Sequence, residues 1–282
     1  MKLSALLAAA LVGALPLGAV TPATPSALPG AEAYVYRLLT PVPLRLFVFK
    51  PAAWRTDGRR PALVWFFGGG WATGTAANAA AWARWAAALG WVGVAPDYRV
   101  KDRFGTTPLE SVADARAALH WVQVHAAELG VDPQRIVVGG NSAGGHLALW
   151  TAITAAPPGS APGESPRAKP AALILTSPVS DTSPETGYTP QRFGTDARAL
   201  SPVHQLDPAM PPVLVFHGDA DRTVPYRESV ALRDRLVATG NRCELITVPG
   251  GSHNYAGDLK PWWPRTQAIA RDFLARQGLL PK

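Results

Sequence analysis

Several features that define protein classes are scarce in this chain. One cysteine, Cys243, occurs in 282 residues, so no intramolecular disulfide can form. It lies in the strand-like run 242–248, where it reads as a small buried apolar residue, not as a reactive thiol. Charged residues make up 17% of the chain against 48% hydrophobic, a globular composition far from a disordered one. Beyond the N-terminus no apolar run is long enough to cross a bilayer as a helix. Basic runs are missing too. The net charge of +7 raises the question of nucleic acid or anionic surfaces. Arg and Lys are scattered, however, and the densest cluster is Arg59 with Arg60. No basic helix or aromatic-basic RNA motif occurs, so nucleic acid is not an expected partner.

What is present begins with a leader. Lys2 precedes an apolar stretch over 3–17, followed by small residues and prolines to Gly30. This pattern of charged n-region and short h-region is that of a secretory signal peptide. Residues 1–30 are therefore expected to be signal and spacer, and the protein secreted or periplasmic. The competing reading is an apolar N-terminal helix of the mature fold; the Thr/Pro/Ser/Ala-rich spacer favours the signal. Two stretches with small residues offer cleavage sites, Gly18-Ala19-Val20 and Ala31-Glu32-Ala33. The remainder, 31–282, has the length of one large α/β domain.

Two short alternating stretches, 33–39 and 44–50, read as a hairpin-like start with Pro41 and Pro43 in its turn. Apolar runs suited to buried parallel strands follow at 62–67, 91–95, 136–138, 171–175, 213–216 and 245–248. Helical segments separate them. The clearest spans 108–129, with Thr107 as cap, Pro108 in the first turn, Val112, Ala115, Leu119 and Val122 on one face, and Gly130 as its end. This alternation predicts an α/β fold with a mostly parallel central sheet flanked by helices. Residues 155–170 read as an exposed loop. Residues 180–211 are long, irregular and polar, which suggests a lid or a binding wall.

The strongest chemical signal is Gly140-Asn141-Ser142-Ala143-Gly144, between a strand ending at Gly139 and a helical run from His146. A G-x-S-x-G sequence in this strand–turn–helix setting is a nucleophile elbow. Ser142 is lifted out of the sheet on a sharp turn, at a helix N-terminus that favours developing negative charge. Side chains at positions 140 and 144 would collide with such a turn. The second signal is Phe67-Gly68-Gly69-Gly70-Trp71, after a strand. Acyl transfer needs N–H donors aimed at an oxyanion, and glycines let backbone approach closely. The expected donors are the N–H groups of Gly69, Gly70 and Ala143. No phosphate-binding glycine pattern is present.

A serine needs a base held by an acid, in the chain order Ser, acid, His. The strand at 213–216 leads into His217-Gly218-Asp219-Ala220-Asp221, where Asp219 and Asp221 both qualify by position. The next strand opens into Pro249-Gly250-Gly251-Ser252-His253, which makes His253 the base. His120, His125, His146, His204 and His217 have plainer readings. No histidine pair has zinc-ligand spacing backed by a carboxylate, so no metal and no cofactor are expected.

These motifs together resemble the α/β-hydrolase esterases related to the hormone-sensitive lipase group and to secreted acetyl-xylan and feruloyl esterases. The resemblance runs from about Tyr34 to the end. It rests on Phe67–Trp71, Asp97-Tyr98-Arg99-Val100, Pro108 with Asp114 and Trp121, Gly140–Gly145, His217-Gly218 with Asp221 and Val224-Pro225, and His253. It implies an α/β-hydrolase fold with no large cap domain, and it places the acid on Asp221. The family's usual histidine before the glycines is Phe67 here, which exchanges a hydrogen-bonded anchor for a packed one. The expected activity is hydrolysis of short-acyl esters, on small molecules or on polysaccharides such as acetylated or feruloylated xylan. A peptidase or amidase of the same fold is the alternative, and a binding protein on a hydrolase fold a more distant one. Trp71 and Tyr188 are candidates for an aromatic wall against a sugar ring, with Trp262 or Trp263 contributing if their loop reaches the site. The oligomeric state is not legible.

Overall fold

The computed structural model describes residues 23–158, 166 and 168–280. The hairpin comes first: β1 (Glu32–Arg37) pairs antiparallel with β2 (Leu44–Phe49), and β2 antiparallel with β4 (Val92–Pro96). The remaining strands are parallel: β3 (Arg60–Phe66), β5 (Val131–Asn141), β6 (Ala172–Thr176), β7 (Val213–Gly218) and β8 (Cys243–Val248). The sheet of eight strands runs β1-β2-β4-β3-β5-β6-β7-β8. Strands β4, β6 and β7 are buried along their whole length. That is why they read as continuous apolar runs and not as alternating ones.

Helices flank the sheet: α1 (Ala80–Ala88), the short α2 (Lys101–Phe104), α3 (Pro108–Val124), α4 (Ala143–Ala152), α5 (Arg227–Ala238), the short α6 (Tyr255–Asp258) and α7 (Trp262–Arg276). The start of α3 is built as its sequence requires. Thr107 Oγ1 accepts from the Leu109 N–H at 3.3 Å, and Glu110 accepts from the Thr107 N–H at 2.9 Å. The helix stops at Val124, five residues before the expected end. Beyond it the His125 ring stacks on Trp121 at 4.0 Å, and turns lead to a left-handed Gly130 with φ 63°. The Gly130 carbonyl then accepts from the Arg60 N–H at 2.8 Å, which ties the end of this connection to the start of β3.

The longest connection between strands, 177–212, joins β6 to β7, and among the described residues no large cap domain stands over the sheet. The region was expected to be an irregular polar loop. Instead it winds through three short 3₁₀ turns and buries Phe193, Ala197, Leu200 and Pro202 with Ser180–Ser183. Ser180, Thr182, Ser183 and Ser201 bond to one another, to Asp181 and to nearby backbone, which is how so polar a stretch can lie under the surface. No described helix is long and apolar enough to cross a membrane. Burial pushes the Cys243 thiol up to about 12, so it is protonated at neutral pH.

The expected signal segment lies, over residues 1–22, outside the described residues. The described part of the spacer packs on the body: Leu28 is buried, and Thr24 Oγ1 accepts from Arg103 Nη1 at 2.8 Å. Arg103 in turn makes two bonds, of 2.6 and 2.7 Å, to the carboxylate of Asp97, which follows β4 and is fully buried. Asp114 is likewise buried, and it accepts from Arg99 Nε and Nη2 at 2.8 Å and from Arg37. Removing one member of a buried ion pair costs about 3–5 kcal/mol, because the other charge is left uncompensated. Arg103→Ala is expected to lose that much in urea unfolding, and an unchanged midpoint would remove Arg103 from this role.

Candidate active site

Strand β5 ends at Asn141, and helix α4 begins at Ala143. The single residue between them, Ser142, has φ 54° and ψ −121°. An L-residue held there costs about 1–3 kcal/mol, so the surroundings must over-determine it. They do: the Ser142 N–H donates to Thr176 O at 3.0 Å, and its carbonyl accepts from Gly145, His146 and Val179 N–H groups at 3.0–3.2 Å. The turn is so tight that a Cβ on Gly144 would lie 2.2 Å from Phe66 O, and one on Gly140 would lie 2.3 Å from Gly144 O. Both glycines are therefore required by close approach, as their positions in the sequence suggest. Ser142 itself is 7% exposed.

The contact of Gly144 with Phe66 and Phe67 joins the elbow to the glycine loop after β3. That loop turns through three left-handed residues, Gly69 (φ 128°), Gly70 (φ 59°) and Trp71 (φ 59°). Its root is fixed by Phe67, fully buried and stacked on Tyr98 with ring centroids 4.0 Å apart. The Tyr98 hydroxyl donates to Phe67 O at 2.7 Å. The phenyl ring thus anchors the loop by packing. The far side is held by Arg192, whose Nη1 donates to Gly70 O at 2.7 Å, and by the Lys101 N–H on Trp71 O at 2.9 Å.

The expectation for Trp71 is corrected. It is 1% exposed, edge-on to His146 at 5.0 Å and to Phe193 at 4.8 Å, so its ring is core and cannot wall a sugar. Its left-handed φ turns the side chain inward, which a sequence pattern does not reveal. Tyr188 is half-buried against the core, and its N–H donates to Asp181 O at 2.8 Å.

Strands β7 and β8 are paired up to Gly218 opposite Val248, so the loops beyond them leave the sheet together. Asp221 Oδ2 and His253 Nδ1 meet at 2.7 Å. Asp221 Oδ1 accepts from the N–H groups of Thr223 at 2.8 Å and Val224 at 3.0 Å. Asp219 is turned away and accepts from the Gly250 N–H at 2.7 Å. Of the two candidate acids, only Asp221 reaches the histidine. Burial alone would raise its carboxyl, but hydrogen bonds from His217 and His253 and the Thr223 N–H outweigh this and hold it well below the usual carboxylate range. Ser142 and His253 are joined through neighbouring residues: Ser142 donates to Thr176 O, and the Ser177 hydroxyl donates to His253 O at 3.3 Å.

The sequence reading missed His217. It is not a plain strand end. Its Nε2 lies 3.1 Å from the same Asp221 oxygen that His253 uses. The signal was the four-residue spacing of the H-G-x-x-D motif, which folds back across one tight turn. His146 was given a plain reading and has a structural task. Burial pushes it down to about 4, and its Nε2 donates to Leu200 O at 2.8 Å, beside Trp150 Nε1 on the same oxygen at 2.9 Å. This pins the 177–212 connection to helix α4.

A cavity of about 360 Å³ opens beside His253. Trp65, Trp82, Trp263 and Tyr255 wall it, with Asn141 and Thr176 at the end nearest Ser142. Trp65 and Trp82 stack at 4.0 Å, and Trp263 meets Trp82 edge-on at 5.1 Å. Neither Trp71 nor Tyr188 lines it; of the aromatic residues considered from sequence, Trp263 does.

The start of α5 and the 177–212 connection are tied by one buried carboxylate. Glu228 on α5 accepts from the Ser180 and Asp181 N–H groups at 2.9 and 3.1 Å. Burial raises it to about 7 from an ordinary 4.5, against the pull of those two N–H groups. A carboxyl raised on folding contributes stability that is complete below 4.5 and lost as pH rises through about 7. The wild type is therefore expected to lose stability relative to Glu228→Gln between these values. Urea unfolding at pH 5 and pH 8 measures it, and a difference that does not change with pH would contradict the assignment.

Comparison with known proteins agrees with this architecture. A family model for the alpha/beta hydrolase fold matches residues 63–198, and a second model, BD-FAE, matches residues 178–236. Esterase LipQ of Mycobacterium tuberculosis is 31% identical over 220 residues, covering 70% of this chain and 51% of its own. Esterase LipC of the same organism is 27% identical, covering 69% and 53%. The chain spans about half the length of the curated relatives it matches. Among solved structures, esterase 2 of Thermogutta terrifontis superposes with a TM-score of 0.84 at 41% identity, over 90% of this chain and 97% of that one. The chain belongs to the α/β-hydrolase family of esterases related to the hormone-sensitive lipase group.

Proposed function

We propose that the chain is a serine carboxylesterase that hydrolyses esters of short acyl groups carried on carbohydrates. The observation that carries this reading is the 2.7 Å contact of Asp221 with His253, next to a serine held in the strained elbow conformation. In the proposed reaction His253 takes the proton of Ser142 through its free Nε2. The serine oxygen attacks the ester carbonyl. The N–H groups of Gly69, Gly70 and Ala143 receive the developing oxyanion; one such donor is worth about 10²–10³ in rate. The acyl group passes to Ser142, the alcohol leaves with the proton from His253, and water repeats the sequence to release the acid. Asp221 fixes the tautomer of His253 and stabilises its charged form.

Names of relatives support the acyl size and the nucleophile. Esterase 2 of Thermogutta terrifontis is described with propionate and with butyrate bound, and as phosphorylated by paraoxon. The cavity beside His253 supports a ring-bearing substrate: the half-buried Trp263 offers an apolar ring for packing, with Asn141, Thr176 and Asn254 as polar partners. We also propose that residues 1–30 direct export. The contacts of Thr24 and Leu28 favour the earlier of the two cleavage positions, since the later one would remove both and cut β1.

Hydrolysis of p-nitrophenyl acetate, butyrate and octanoate tests the reading beside Ser142→Ala. Activity is expected to fall with chain length and to drop by at least about 10³-fold in the variant. Activity that survives the substitution would remove Ser142 as nucleophile. Acetylated xylan and feruloylated sugars then decide the alcohol: release from them at rates above those for simple alkyl esters is expected.

A further inference from the structure

Asp221 Oδ2 is shared by two imidazoles, and the proposed reaction uses only one. His217, the other, ends β7 and is completely buried. Its Nε2 faces two acceptors, Asp221 Oδ2 at 3.1 Å and Val224 O at 2.9 Å. Neither can donate once the carboxyl is ionised, so Nε2 must carry the hydrogen. Its Nδ1 meets Ser229 Oγ on α5 at 2.6 Å, and the Tyr226 ring stands edge-on at 5.7 Å. The ring is thus fixed in position and in tautomer by the turn that follows β7 and the start of α5.

We propose that His217 is a positioning residue for the catalytic acid, an Nε2–H donor that holds the Asp221 carboxylate in line with His253 and limits how strongly it draws the His253 proton. The inference rests on the esterase reading above. Two donors on one carboxylate oxygen divide its basicity. With His217 in place, the Asp221 oxygen that orients His253 at 2.7 Å also accepts from His217 Nε2 at 3.1 Å, so its pull is divided between the two rings. Without His217 the carboxylate turns its full strength on His253. The imidazolium is then favoured, and the base is lost at the acid side of the pH range. Of the other ionisable groups on the elements around the pair, Asp219 is engaged with the Gly250 N–H, Glu228 with Ser180 and Asp181, the Tyr226 hydroxyl with Thr247 Oγ1 at 2.5 Å and Asp258 with Ser252, while Arg222 and Arg227 are exposed on the turn and at the start of α5.

The test is the pH profile of kcat/KM for p-nitrophenyl acetate in wild type, His217→Phe, His217→Gln and Ser229→Ala. His217→Phe keeps ring volume and removes the donor. It is expected to lower kcat by about tenfold to a hundredfold with KM nearly unchanged. It is also expected to move the acid limb upward by about half a pH unit or more. His217→Gln, whose amide N–H replaces Nε2–H, should restore most of both. Ser229→Ala frees the ring and should show the same direction with a smaller size, which keeps the test open if the phenylalanine variant does not fold. An acid limb unmoved in His217→Phe, or in Ser229→Ala where the former does not fold, would overturn the proposal. If the wild type hydrolyses no ester, the esterase reading fails by itself. NMR titration of His253 in wild type and Ser229→Ala then still decides whether His217 controls it: an upward shift supports the role, and identical titrations refute it.

Discussion

One turn governs the layout of this molecule. Ser142 occupies a left-handed backbone conformation with only one residue between the longest strand and helix α4. That conformation persists because the backbone of three other regions closes on it. Gly144 presses against Phe66 and Phe67, Thr176 accepts the serine N–H, and Val179 donates to its carbonyl. The close approach places the glycine loop beside the serine with no room for a side chain between them. The same register brings the ends of β6, β7 and β8 level with the elbow, so Asp221 and His253 arrive on loops that need little length.

A second layer keeps those loops in place. The attachments of the 177–212 connection include Leu200 O to His146 and Trp150, Arg192 to the glycine loop, and Ser180 and Asp181 to Glu228. The first two touch elements that carry residues of the proposed site, and the third touches the helix that follows the Asp221 turn. Asp181 organises the interior of the connection by accepting from the Ser183 N–H at 2.8 Å and the Ser201 hydroxyl at 3.0 Å. The segment is thus a packed wall and not a loose lid.

Much of this was legible in the sequence. Apolar runs located β3 to β8 and alternation located β1 and β2, and the plainest runs belong to strands covered on both faces, such as β4, β6 and β7. The elbow was legible because its glycines are dictated by backbone collision, a constraint with one solution. The choice between Asp219 and Asp221 was not open to spacing alone. It depends on which carboxylate the turn after β7 aims at His253, and the family resemblance supplied it. Trp71 was misread because its ring direction follows from a positive φ that no pattern of residue types encodes. His217 was passed over because its partners come from α5 and from its own tight turn. The burial of the polar 180–183 stretch escaped notice for a similar reason: its hydrogen bonds are made to Glu228 and Ser201, far along the chain.

The most direct measurement of the central claim is the intact mass of the protein after reaction with paraoxon, followed by mapping of the modified peptide. A single diethylphosphoryl group on Ser142, absent from Ser142→Ala and slowed when His253 is replaced by alanine, is the expected result. No adduct, or one that persists in Ser142→Ala, would contradict the assignment of Ser142 as the residue on which this fold converges.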